Sequence, residues 1–506
     1  MAKANEEKNN NNAEETTSEN NGDSPRDNIV TTKHSVTIKR KKLNYSVTTG
    51  TIVLKEESTK EGEDQGKFEG EKPKASIFFV AYTKDGEKEM GKRPITFSFN
   101  GGPGSSSVWL HLGVLGPRRV VMGDDDGNPS PPPYQLTDNE YSVLDKTDLV
   151  FIDPVSTGYS RIVKGEKASE YHGFKRDIES VGDFIRLYLS RYHRWSSPKF
   201  LIGESYGTTR AAGLSGYLQE RHGMYLNGLM LISVILNFQT ARFGPGNDLP
   251  YILFLPTYCA IAWYHNQLKP SFQKDLEGTL QKAREFAGGE YALALLQGDA
   301  LSDDDRAKII KKLSEFTGLS EDYIDRSDLR IEIMRFTKEL LRDETGETVG
   351  RLDGRYKGYD RDSAGEHFEH DPSISAIMGP YTSTLNDYVR SELDFEVDLP
   401  YEILNFKVHP WNYSEHQNEY VNVAETLRKA MTINPNLNVF LANGYYDLAT
   451  PFYATEYTFN HLGIPKGLRE NITSAYYEAG HMMYVHMESL KQMKRDLEKF
   501  IDNSLS

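Results

Sequence analysis

The alternation of apolar and polar positions changes rhythm along the chain. Near the start, "HSVTI" (34–38), "GTIVL" (50–54) and "ASIFFVAYT" (75–83) are β-rich and separated by polar turns, which predicts an antiparallel opening. "RPITFSF" (93–99) and "TDLVFIDP" (147–154) are short apolar runs that end in turn residues, as buried strands do. In "GFKRDIESVGDFIRLYLSRY" (173–192), Phe174, Ile178, Val181, Ile185 and Leu189 recur at helical spacing. "KFLIG" (199–203) then reads as a strand, "TTRAAGLSGYLQER" (208–221) as a helix and "LNGLMLISVI" (226–235) as a strand. Strands alternating with helices predict a mostly parallel α/β sheet flanked by helices.

After about residue 240 the rhythm becomes helical. "KPSFQKDLEGTLQKAREFA" (269–287), "SDDDRAKIIKKLSEFTG" (302–318) and "SDLRIEIMRFTKELLRDE" (327–344) are amphipathic, with Ser302 and Ser327 as expected N-caps. A polar stretch (343–367) follows. Strand character returns in "NLNVFLANG" (436–444) and "SAYYEAG" (474–480), and "ESLKQMKRDLEKFIDN" (488–503) closes the chain as a helix. The pattern predicts one α/β core in two segments, residues 34–235 and 395–506, interrupted by a mainly helical cap at 236–394. Residues 1–33 form an Asn- and Glu-rich tail expected to be disordered. There are no internal repeats.

Composition narrows the function classes. The 506 residues are 38% hydrophobic and 26% charged, as in a globular protein, and the formal net charge of −15 argues against nucleic-acid and anionic-membrane partners. No apolar run reaches the roughly 20 residues of a spanning helix, so no membrane segment is expected. The N-terminus as given lacks a signal-peptide core. The single cysteine, Cys259 in "YILFLPTYCAIAWY", precludes an intrachain disulfide and reads as a buried thiol. No ligand cluster points to a metal, and no cofactor is expected.

The candidate chemistry begins at "FLIGESYGTTR" (200–210), where Gly203-Glu204-Ser205-Tyr206-Gly207 sits between a strand and a helix. Gly-x-Ser-x-Gly is a weak signal alone, but strand, sharp turn and helix are the context that lifts a serine hydroxyl above a sheet edge. A serine nucleophile needs a base, and the base needs an orienting acid. Asp447, in "GYYDLATP", follows one strand; His481, in "YYEAGHMMYVH", follows the next. The order Ser, Asp, His fits this fold class. His481 lies at its strand-to-loop junction, whereas His486 is expected to begin the last helix and His461 lies in a helix or its cap. The loop "NGGPG" (100–104) after the strand at 93–99 offers backbone donors for an oxyanion, joined by the N–H of Tyr206.

"FNGGPGSSS", "DLVFIDPVSTGYS", "GESYG", "NGYYDLATP" and "AGHM" occur in an order that resembles the serine carboxypeptidases of the α/β-hydrolase superfamily, family S10. The resemblance spans about residues 75–500 and is weakest in the cap. It implies an α/β-hydrolase fold and release of C-terminal residues from peptides with a free C-terminus. Ser205 is then the nucleophile, His481 the base and Asp447 its partner, with Gly102 and Tyr206 as oxyanion donors. It also implies that Asn100 and Glu204 bind the substrate's terminal carboxylate, a protonated Glu204 donating a hydrogen bond at mildly acidic pH. Esterase, acyltransferase or hydroxynitrile lyase chemistry on the same triad is the alternative, and a non-catalytic binding or protective protein a remoter one.

The chain departs from the family in several places. Ser105 and Thr450 stand where many members have cysteine, and the absent disulfide framework resembles a bacterial-type member. Val114, in "HLGVLGP", replaces a glutamate that pairs with the one before the nucleophile. The resemblance implies an exported protein, whereas without a signal in the sequence as given the three Asn-x-Ser/Thr sequons at Asn44, Asn412 and Asn471 are expected to be unused chance matches.

Overall fold

The computed structural model describes residues 25–60 and 65–505; most of the expected tail, 1–24, lies outside them. A ten-stranded sheet organises the chain. Its strands are β1 (Asn28–Ile38), β2 (Lys41–Thr59), β3 (Phe68–Lys84), β4 (Ile95–Phe99), β5 (Asp148–Ile152), β6 (Arg161–Ile162), β7 (Lys199–Ser205), β8 (Gly228–Val234), β9 (Asn438–Gly444) and β10 (Ile472–Tyr477). The spatial order is β1-β2-β3-β5-β4-β7-β8-β9-β10, with β6 paired to β3. The first strands pair antiparallel and those from β5 to β10 pair parallel. This is the mostly parallel α/β sheet expected from the alternation, in the α/β-hydrolase arrangement that the resemblance implies.

The first described strand begins at Asn28, six residues before the expected start of strand pattern at His34. β1 and β2 stay in register from Asn28↔Thr51 to Ile38↔Lys41. Backbone pairing therefore carries the strand through residues whose side chains are largely exposed.

Helices α1 (Phe174–Arg191) and α2 (Tyr206–His222) pack on one face of the sheet, where Ile178, Val181, Ile185 and Leu189 meet Leu201, Leu214 and Leu218. The helical periodicity of α1 is the stripe that makes this contact. The other face packs against the last helix, Met487–Asn503, through Leu490, Met493 and Leu497.

Between β8 and β9 lies a separate apolar cluster built by α3 (Leu249–Tyr264), α4 (Leu276–Phe286) and α5 (Asp303–Thr317). Ser302 caps α5 by accepting from the Asp305 N–H. Ser327 does not start a helix. It ends the short α6 (Glu321–Arg326), and its Oγ donates to the Tyr323 carbonyl at 2.8 Å. The following α7 covers only Ile333–Glu339. α3 is apolar on nearly every side and carries no amphipathic stripe, in keeping with its place at the centre of this cluster, where Cys259 is fully buried.

Within the stretch expected as cap, α8 (Pro372–Ser391) behaves differently. Ile377, Tyr381, Leu385 and Tyr388 pack into the sheet-side core with Trp109 and Leu112, not into the α3–α5 cluster. No helix among the described residues is long and apolar enough to cross a membrane.

Candidate active site

Four parallel strands end at one edge of the sheet, and the candidate residues follow each of them. Asn100 follows β4, Ser205 ends β7, Asp447 lies three residues past β9 and His481 four past β10. Ligand and catalytic sites in parallel α/β sheets form at such carboxyl ends.

Ser205 occupies a left-handed backbone conformation, φ 60° and ψ −129°, directly before α2. This sharp turn is possible because the residues two positions away on either side, Gly203 and Gly207, lack a side chain. A Cβ at Gly203 would collide with the Gly207 carbonyl, and one at Gly207 would lie 2.8 Å from the Phe99 carbonyl. Gly101 serves the same end across the gap, since a Cβ there would strike the Tyr206 amide. The "NGGPG" loop thus lies against the start of α2, where the first N–H groups have no intrahelical acceptor. Gly102 and Tyr206 line one cavity with Ser205 and His481.

His481 Nδ1 and Asp447 Oδ2 are 2.7 Å apart, and both residues are buried. Asp447 is held by the N–H groups of Ala449 at 2.7 Å and Thr450 at 3.0 Å, and by the Thr450 hydroxyl at 2.6 Å. These donors hold the carboxylate in place and aim it at the imidazole. Burial works against the His481 cation, but the Asp447 charge, its hydrogen bond and the nearby Glu204 outweigh burial and hold its pKa above the usual value. His486 instead precedes the last helix and meets Ser489 at 2.8 Å, while His461 follows Phe452–Asn460.

Asn100 and Glu204 are joined. Asn100 Nδ2 donates to Glu204 Oε1 at 2.9 Å, its amide orientation set by the Leu110 N–H donating to Oδ1 at 3.1 Å. The Tyr484 hydroxyl donates to Glu204 Oε2 at 2.6 Å. Burial raises the Glu204 pKa to about 7, with His481, Tyr484 and Asn100 pulling it down and Asp447 adding to the rise. Val114, at the position of the family's paired glutamate, is buried in the sheet-side core. Tyr484 joins the candidate site without a motif signal; only its place three residues after His481 hinted at it.

Arg210 is a second residue that motif reading missed. Fully buried on α2, it makes a bidentate pair with Asp177 at 2.8 and 3.1 Å and donates to the Asn100 carbonyl at 2.5 Å. It ties the helix after Ser205 to the loop that carries Asn100. Ser105, at the first of the two positions where many family members have cysteine, accepts from Trp109 Nε1 at 2.9 Å.

The cavity over Ser205 has a volume of about 620 Å³. Trp109, Leu352, Ile377 and Met482 line it on the Glu204 side, and Phe238, Trp411 and Tyr413 on the Tyr206 side. Among the described residues, no group of three or more His, Cys, Asp or Glu side chains could hold a metal ion.

A family model described as serine carboxypeptidase matches residues 64–494. The chain is 35% identical over 136 residues to the pheromone-processing carboxypeptidase KEX1 of Saccharomyces cerevisiae, covering 26% of this chain and 17% of that protein. It is 28% identical over 159 residues to the serine carboxypeptidase-like protein 33 of Arabidopsis thaliana, covering 29% of each. These matches span less than a third of either relative's length. The crystal structure of a prohormone-processing carboxypeptidase from S. cerevisiae superposes with a TM-score of 0.54 at 18% identity, over 90% of this chain and 91% of that one, and so shares the fold. With the family model covering most of its length, the chain belongs to the serine carboxypeptidase family.

Proposed function

We propose that this protein is a serine carboxypeptidase that releases C-terminal amino acids from peptides. The observation that carries the reading is the Asn100–Glu204 hydrogen bond beside Ser205, in a cavity with no other carboxylate among its lining residues. Below about pH 7, Glu204 holds a proton. Its O–H and the second Asn100 N–H can then both donate to a terminal carboxylate.

In this account Ser205 Oγ attacks the last peptide carbonyl and passes its proton to His481 Nε2. Asp447 fixes the Nδ1–H tautomer and stabilises the imidazolium. The N–H groups of Gly102 and Tyr206 hold the oxyanion. His481 then protonates the departing amine, and water, activated by the same base, releases the acyl group. The reaction needs no cofactor. We take the α3–α5 cluster as a cap inserted in the core within 236–394, with α8 belonging to the core. The lack of a cysteine framework favours a bacterial-type member and the family resemblance an exported one, while the relatives named above come from yeast and Arabidopsis.

A fluorophosphonate probe, followed by mass spectrometry of a peptide panel, tests the reading. It requires modification of Ser205, and stepwise loss of single C-terminal residues that the Ser205→Ala variant does not catalyse. Labelling of another serine, or turnover of esters with no peptide trimming, contradicts it.

A further inference from the structure

Arg351 is built into the site, yet its charge is unanswered. Its backbone is pinned on both sides of the triad. The Arg351 carbonyl accepts from the N–H of Leu448, next to Asp447, at 3.0 Å, and the carbonyl of the adjoining Leu352 accepts from His481 N–H at 2.7 Å. The Arg351 N–H donates to Asp371 Oδ1 at 3.2 Å. Three hydrogen bonds therefore fix where the side chain begins, and the residue lines the cavity over Ser205.

Among the described residues, the Arg351 guanidinium has neither an ion pair nor a hydrogen bond. Four residues on, Arg355 shows what a committed arginine looks like here, paired with Asp353 at 2.7 Å. The one carboxylate lining the cavity is Glu204, whose oxygens already accept from Asn100 and Tyr484. Arg242 is a second lining cation without an ion pair, lying over the Phe238 ring on the Tyr206 side. A chain of net charge −15 thus lines its central cavity with an excess of positive charge. A half-buried guanidinium with five free donors calls for a planar anion.

The side on which Arg351 sits identifies that anion. Leu352, next to Arg351 in the chain, lines a small hollow with Ile377 and Met482, and all three line the cavity over Ser205 together with Trp109 and Glu204. On the reading that Asn100 and Glu204 hold the terminal carboxylate, this is where the side chain of the departing residue lies. We propose that Arg351 is a specificity-determining residue that selects aspartate or glutamate as the C-terminal residue to be released.

The test is kcat/KM for peptide pairs ending in Glu or Gln, which match in shape and share the terminal carboxylate. A second pair carries Glu or Gln at the penultimate position. A charge-assisted pair predicts a Glu-over-Gln preference of about ten- to a hundredfold at the last position, weakened by added salt. Arg351→Gln brings that ratio to about one and Arg351→Lys restores part of it, which also shows that position 351 can be altered without unfolding. The proposal is overturned if the wild type trims both pairs without preference, if the preference lies at the penultimate position, or if Arg351→Gln slows Glu- and Gln-ended peptides equally. That last result would assign Arg351 to the terminal carboxylate itself. If no peptide loses its last residue, the carboxypeptidase reading fails; if Gln-ended peptides are trimmed and Glu-ended ones gain nothing, only the role of Arg351 fails.

Discussion

The Tyr484 hydroxyl donates to Glu204 Oε2 at 2.6 Å, two buried side chains from distant parts of the chain meeting beside Ser205. The pair answers a question raised by Val114. A carboxylate partner at that position would favour a shared proton, whereas a tyrosine hydroxyl donates to the carboxylate and favours its ionised form.

That relationship gives the first prediction. Burial holds the Glu204 pKa at about 7, and the Tyr484 hydrogen bond is one of the contributions opposing burial. In Tyr484→Phe the donor is gone and the pKa rises further. Protonated Glu204 then persists to higher pH, so the alkaline loss of peptide hydrolysis moves upward by about one pH unit. A pH profile of kcat/KM on one free-acid peptide checks this. A limb that stays put or moves down contradicts it.

Thr450 sets the response to thiol reagents. Its hydroxyl sits 2.6 Å from Asp447 Oδ2, and the only cysteine, Cys259, is buried in the α3–α5 cluster with its pKa pushed up by burial. A mercurial leaves the wild type active. Thr450→Cys places a thiol at the cavity wall beside His481, and the same reagent inactivates that variant, with protection by a competing peptide. Rapid inactivation of the wild type is the contrary result.

Arg210 and Asp177 form a buried bidentate pair, so removing one partner is expected to cost far more than removing both. Arg210→Met leaves Asp177 unpaired and lowers unfolding free energy by about 3–5 kcal/mol. Adding Asp177→Leu recovers most of it. Denaturant melts of the single and double variants measure the difference. Equal losses in both would mean that the contact with the Asn100 carbonyl, not the ion pair, is what matters.

The fold was legible wherever local pattern and tertiary role coincide. The stripe of α1 buries the face its periodicity marks, and the short apolar runs β4, β5 and β7 are strands buried on both faces. Ser205, Asp447 and His481 were legible because their chemistry demands strand ends in a fixed order. Other features had no local signature. α3 is apolar on every side, so periodicity could not separate helix from strand. α8 carries an internal Pro380 and packs across the molecule on residues far away in sequence. Ser327 has the chemistry of an N-cap, but the chain had already completed α6 before reaching it. Tyr484 and Arg210 matter only through partners that the fold brings to them.

The central claim is that Glu204 and Asn100 read a free C-terminus. The most direct measurement is kcat/KM against pH for one peptide as its free acid and as its amide, in the wild type, Glu204→Gln and Glu204→Ala. Both substrates need neutral His481, whose pKa lies above the ordinary histidine value, so activity rises with pH through that titration. Only the free acid also needs protonated Glu204, so it alone falls again as pH passes through about 7. Glu204→Gln keeps a donor and removes that fall. Glu204→Ala loses about ten- to a hundredfold on the acid across the range and little on the amide. Equal losses on acid and amide would place Glu204 in support of the turn or the triad, and would contradict the claim.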